Sequence, residues 1–177
     1  MCRYAMTTYK PHFACFECRK TFKRRLTIDI EGTTDFTNQA KCPQCGNLMA
    51  DMGLDFESPK MNDLKSWNHI KNLFTAGVTF HSCGCTGPGY IPQNIEKLLN
   101  FLEKRKMDYV KNLKFWLNRK EPNSKKEVDK GKRANWAQHS RLPQNLQGKK
   151  VEVSNAEAIE FWISRIEDID NKIKSLA

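Results

Sequence analysis

The chain has 177 residues, with 30 Lys and Arg against 20 Asp and Glu, and a net charge of +10. That length suits one domain with a real core, or a small metal-stapled module plus a second element, and the charge favours a polyanionic partner over a cationic one. No apolar run approaches the roughly 20 residues that cross a bilayer, and the opening MCRYAMTTYKPHF has no signal-like apolar core, so the expected setting is cytoplasmic with no membrane partner.

The first predicted unit, residues 1–57, is organised by cysteine. Reducing pools keep cytoplasmic thiols reduced, so paired cysteines there point to metal ligation or redox chemistry, and the odd total of seven fits a closed disulfide framework poorly. Cys15 and Cys18 form one C-x-x-C pair, and Cys42 and Cys45 a second in KCPQCGN, where Pro43 fixes φ and Gly46 supplies a positive φ just after the turn. Two such knuckles aim four thiolates at one centre with Zn–S distances of about 2.3 Å, leaving no open position for water or substrate. The expected cofactor is therefore a structural Zn2+, with iron in a rubredoxin-like electron carrier as the alternative.

Between the knuckles Leu26, Ile28 and Ile30 alternate with polar residues ahead of an EGTTD turn, which predicts a β-hairpin and hence a zinc ribbon. The first knuckle carries a basic rim of Arg19, Lys20, Lys23, Arg24 and Arg25. Its alternative readings are phosphate contact and a solvated strand edge; for Phe22 they are base stacking and core packing.

Residues 58–91 are expected to supply a covering helix and a glycine-rich strand and turn. Ser58 is the predicted N-cap, Pro59 the first helical residue, Gly77 the stop, and Leu64, Trp67, Ile70 and Phe74 the buried face. Val78 and Phe80 read as strand. His81, Cys83 and Cys85, with Cys2, would make a second metal site only at a spacing unlike that of known zinc knuckles, and buried thiols are the plainer reading.

The stretch CPQCGNLMADMGLDFESPKMNDLKSW, followed by FTAGVTFHSCGCTGPGYIP, resembles small bacterial zinc-ribbon proteins in which a CPxCG knuckle precedes a loop containing aspartate, methionine and glycine, and then a short helix. That resemblance covers roughly residues 9 to 100 and implies a ribbon fold without catalytic residues. The longer, basic chain as a whole also resembles lineage-specific proteins on the ribosomes of Bacteroidetes-type bacteria. That second resemblance implies rRNA and neighbouring ribosomal proteins as partners.

From residue 92 to 177 the pattern becomes helical. Ile95, Leu99, Leu102, Lys106, Tyr109, Leu113 and Trp116 recur at steps of four and three, and Ile159, Trp162, Ile166, Ile169, Ile173 and Leu176 do the same after a Ser154/Glu157 capping box. The two stripes predict an antiparallel helical hairpin, with dimerisation through either stripe as the other arrangement. The segment that joins them, 118–153, holds ten Lys or Arg and four acids, so a fifth of the chain carries +6 of the +10. It reads as a basic loop too polar to build a core, either a solvated linker or a segment that orders on RNA. Its candidate contacts are Lys125, Lys126, Lys130, Lys132, Arg133, Trp136, Arg141, Lys149 and Lys150.

The expected fold class is therefore α+β, an N-terminal zinc ribbon with a small antiparallel sheet followed by a long two-helix antiparallel hairpin with a basic loop. The expected activity is RNA binding, with no small-molecule substrate and no catalysis. The sequence offers no phosphate-binding glycine loop and no convincing Cys-His nucleophile or carboxylate pair. A DNA-binding, transcription-associated ribbon is the alternative within the same class.

Overall fold

The computed structural model describes residues 10–24, 40–82, 87–122, 124–147 and 154–176. The chain divides into two compact units, Met1–Leu98 and Leu99–Ala177. The class is mixed, with a small three-stranded antiparallel sheet near the N-terminus and helices after it.

In the first unit β1 (His12–Cys15) lies between β2 (Lys20–Lys23) and β3 (Ala50–Gly53), both antiparallel to it. Alternation along β1 separates two cores. Phe13 and Cys15 pack with Ala40, Cys42 and Met49 on one face, while Ala14 packs with Ala50, Met52, Phe56, Trp67 and Ile70 on the other. Phe22 lies against the cysteine-side cluster, so the core reading of this residue holds over base stacking. The hairpin expected around Leu26, Ile28 and Ile30 lies outside the described residues; the strand pair seen is β1 with β2, flanking the first knuckle.

Helix α1 (Leu64–Thr75) covers the second face through Trp67 and Ile70. It starts later than expected. Asp63 is the N-cap, its carboxylate accepting the Ser66 N–H at 3.1 Å and the Ser66 hydroxyl at 2.7 Å, whereas Ser58 Oγ accepts from Thr21 Oγ1 at 2.9 Å. Leu64, expected on the buried face, is consequently a first-turn residue and 54 % exposed; Leu73 is buried instead. Gly77 ends the helix as expected, at φ 79, with its N–H donating to Phe74 O at 2.9 Å and the Val78 N–H to Leu73 O at 2.8 Å. The following segment is not a formal strand, yet Phe80 donates to Met52 O at 2.8 Å and accepts from the Asp55 N–H at 3.2 Å. Gly53 makes this approach possible: at φ 91, a Cβ there would stand 2.6 Å from the backbone of Phe80 and His81.

Beyond the sheet come α2 (Ile95–Asn118), α3 (Lys125–Ala134), α4 (Trp136–His139) and α5 (Asn155–Leu176). In the second unit Trp116, Leu142, Ala158 and Trp162 form a buried cluster, joined by Tyr109, Leu113, Ile159 and Phe161. The capping box is present: the Glu157 N–H donates to Ser154 Oγ at 3.2 Å, and the Ser154 N–H to the Glu157 carboxylate at 3.2 Å. Lys106, the cation inside the predicted stripe, reaches Asp170 at 2.6 Å.

Segment 118–153 corrects the expectation of a plain basic loop. It contains α3 and α4 and buries Val128, His139 and Leu142. Its apolar residues are too sparse to show a period, yet Leu142 and Leu146 dock on the Trp116 and Trp162 cluster, so the segment borrows a core that it could not build alone.

Candidate metal centre

Each knuckle is made by the backbone that delivers its cysteines. β1 ends on Cys15, the chain turns through residues 16–19, and β2 leaves at Lys20, with the Cys18 N–H pointing at Cys15 Sγ at 3.4 Å. Arg19 occupies the left-handed region at φ 50, and its Nε donates to Met61 O at 3.0 Å. The second knuckle is a small hairpin: the Cys42 N–H donates to Asn47 O at 2.8 Å, the Gly46 N–H to Cys42 O at 2.9 Å, and Lys41 bridges Leu48. Gly46 has φ 75, the conformation expected from the sequence. Arg24 ties the two knuckles together by donating to Lys41 O at 2.8 Å.

The four sulfurs of Cys15, Cys18, Cys42 and Cys45 lie within 4.8 Å of one another. A tetrahedron of about 2.3 Å metal–sulfur bonds has edges of about 3.8 Å. Cys15 Sγ stands 3.6 Å from Cys45 Sγ, and Cys42 Sγ 3.9 Å from Cys18 Sγ. These separations fit ligands around one ion and are nearly twice a disulfide bond; all four cysteines are free thiols. Cys15 and Cys42 are buried, Cys18 is half-buried and Cys45 exposed, so one edge of the site meets solvent.

The thiols have unlike acidities. Backbone N–H groups of Cys45 and Gln44 hold Cys42 down to about 6 against the burial that opposes them. The hydrogen bond to Cys45, then burial, pushes Cys18 up to about 12, and burial also raises Cys15. One thiolate is thus favoured by the backbone, and a bound cation would favour thiolates at Cys15 and Cys18. The donor set fits one ion held by four thiolates.

The expected nucleic-acid contacts divide by position. Lys20 and Lys23 are exposed on β2, whereas Arg19 and Arg24 spend donors on backbone carbonyls and Arg25 lies outside the described residues. On α3, Lys126, Lys130 and Arg133 are exposed and Lys132 is half-buried; α3 begins at Lys125. Trp136 is 72 % exposed. Arg141 donates to Asn112 Oδ1 at 3.2 Å, and Lys149 and Lys150 lie outside the described residues. Cys2, Cys83 and Cys85 of the second candidate metal site also lie outside them, while His81 Nε2 stands 3.6 Å from Asp51.

Sequence reasoning passed over His139, which is buried with its ring edge against Trp116 at a centroid distance of 4.9 Å. Burial, then the charges of Arg119 and Lys132, lowers its pKa. No local signal marks it, because the ring it packs on, Trp116, lies in α2, 23 residues earlier in the chain.

The chain matches no protein-family model, and comparison with curated proteins and with solved structures finds no match. Among the described residues no helix is long and apolar enough to cross a membrane.

Proposed function

We propose that the protein is a non-catalytic RNA-binding protein, stapled by one Zn2+ at Cys15, Cys18, Cys42 and Cys45, and that its RNA is ribosomal, met in the cytoplasm among neighbouring ribosomal proteins. The observation that carries the reading is the exposed face of α3. Lys126, Lys130 and Arg133 recur at steps of four and three, all exposed, while Val128 on the other side is buried. Helical spacing sets the three cations along one line of about 10 Å, a length at which successive phosphates of one strand can be met. The support for helices that hold this segment comes from α2 and α5: Arg119 donates to Asn155 Oδ1 at 2.7 Å near one end, and Lys106 meets Asp170 further along, the order an antiparallel hairpin requires. Zinc supplies folding energy to a ribbon too small to be stable on apolar burial alone, and Lys and Arg neutralise phosphate.

Sedimentation of a cell lysate through sucrose at low and high salt, probed for this protein, tests the reading. Comigration with a ribosomal subunit that weakens as salt rises supports it. A position only among free proteins at low salt removes the ribosome from it.

A second reading is favoured by one observation, the exposed Cys45 at the rim of the four-sulfur site. An iron ion there would be open to electron exchange. A red protein with iron in stoichiometric amount would replace zinc and make the chain an electron carrier.

A further inference from the structure

Three of the four tryptophans are buried, Trp67 at 2 %, Trp116 at 0 % and Trp162 at 4 % exposure, whereas Trp136 is 72 % exposed. The backbone that carries it is held on both sides. Asn135 closes α3, its N–H and its side-chain amide both donating to Gly131 O, at 2.9 and 3.2 Å. Trp136 then opens α4, and its carbonyl accepts the Ser140 N–H at 2.8 Å. At the far end of that turn His139 is buried on Trp116, and Leu142 enters the same cluster. Gln147 Nε2 closes the next turn on Ser140 O at 3.3 Å. These ties fix the backbone that carries Trp136, and from it the indole stands in solvent.

An exposed indole is unfavourable in water and suits a flat apolar partner. What surrounds Trp136 in sequence narrows the partner. Arg133, Lys130 and Lys126 precede it on the exposed face of α3, with Asp129 and Glu127 at the edges of that face. A cationic line beside an aromatic platform is the pairing that tracks a backbone while stacking a base. Paired A-form RNA keeps its base faces inside the stack and offers outward only phosphates, sugars and edges, whereas an unpaired strand offers phosphates and free base faces together.

We infer that α3 and α4 form a site for unpaired RNA, a single strand, loop or bulge, in which phosphates follow Lys126, Lys130 and Arg133 and one base stacks on Trp136. This inference rests on the RNA-binding reading and narrows it from RNA in general to unpaired RNA.

Zinc-loaded full-length protein, titrated by fluorescence anisotropy against a labelled mixed-sequence single strand of roughly 12 nucleotides and against the same strand annealed to its complement, tests it. The single strand should bind more tightly than the duplex. Trp136→Ala should weaken the single strand by roughly 5- to 150-fold and the duplex by less than about twofold, with Trp136→Phe restoring most of the loss. Because the side chain is exposed, zinc content and helicity should match the parent. Parental single-strand affinity in Trp136→Ala, or an equal loss on both ligands, overturns the stacking site while salt-dependent binding leaves the RNA reading in place. If neither ligand binds at low salt, the RNA reading fails and the inference fails with it.

Discussion

Cys15 Sγ lies 3.6 Å from Cys45 Sγ although the two residues are 30 positions apart in the chain. That contact joins the end of β1 to the second knuckle. Four free thiols gathered so closely gain little from one another without a cation, so the energy that closes the site should come from metal binding. The protein should purify colourless with about one zinc per chain. Cys42→Ser should release the ion and unfold the sheet while the helical signal of α2 and α5 largely persists, as metal analysis and circular dichroism would show. Full zinc retention by that variant would contradict the four-thiolate assignment.

Gly53→Ala probes the approach of residues 80 and 81 to β3. The new methyl would meet backbone atoms at 2.6 Å, and the backbone would keep a φ of 91 that alanine resists. Neither contact is the end of a flexible side chain, so the loss should be at least about 2 kcal/mol in denaturant unfolding. A Gly46→Ala variant serves as the comparison, since a Cβ there meets nothing within 4 Å and only the φ of 75 opposes it. The second variant should therefore be the less damaged of the two.

The cysteine knuckles were legible because C-x-x-C geometry is set within a few residues by the turn that presents it. The strands were less so. His12–Cys15 and Lys20–Lys23 are only four residues each, too short for alternation to stand out, and their register is seen only in the pairing of His12 with Lys23 through Cys15 with Lys20. Lys106 was readable as a stripe member, and its partner Asp170 explains how a cation is tolerated there. Helix α3 carries a local start signal, since Ser124 and Glu127 form an S-x-x-E cap in which Ser124 Oγ accepts the Glu127 N–H at 3.4 Å. The burial of His139 and Leu142 had no local signature, since His139 packs on Trp116 of α2 and Leu142 joins a cluster with Trp116 of α2 and with Ala158 and Trp162 of α5, all far away in the chain.

His139 predicts a dependence on acidity. Its ring is buried among Trp116 and the charges of Arg119 and Lys132, so its pKa in the folded chain lies below the ordinary 6.5. Below pH 6.5 the unfolded chain takes up a proton that the folded chain refuses, and the equilibrium moves toward unfolding. Stability of the second unit should thus be at its plateau above that value and fall as pH drops from it toward the folded pKa. His139→Phe should flatten this part of the profile in thermal or denaturant melts. An unchanged slope in the variant would place the acid sensitivity on other groups.

The exposed line on α3 makes the final prediction, and it separates charge from stacking. Replacing Lys126, Lys130 and Arg133 with Ala removes three exposed cations, while the buried Val128 and the Ser124 cap that seat the helix remain. Each phosphate contact contributes roughly 0.7 to the slope of log affinity against log salt on single strands, so the slope should flatten by up to about two units. Trp136→Ala should leave that slope nearly unchanged while lowering affinity, because a stacked ring displaces no counterions. Alanine is a stronger helix former than the residues it replaces, so helicity should hold or rise, and a loss of binding cannot be ascribed to melting of α3. If the triple variant keeps the parental slope, the cations of α3 do not touch phosphate, and the exposed Lys20 and Lys23 of β2 become the place to look.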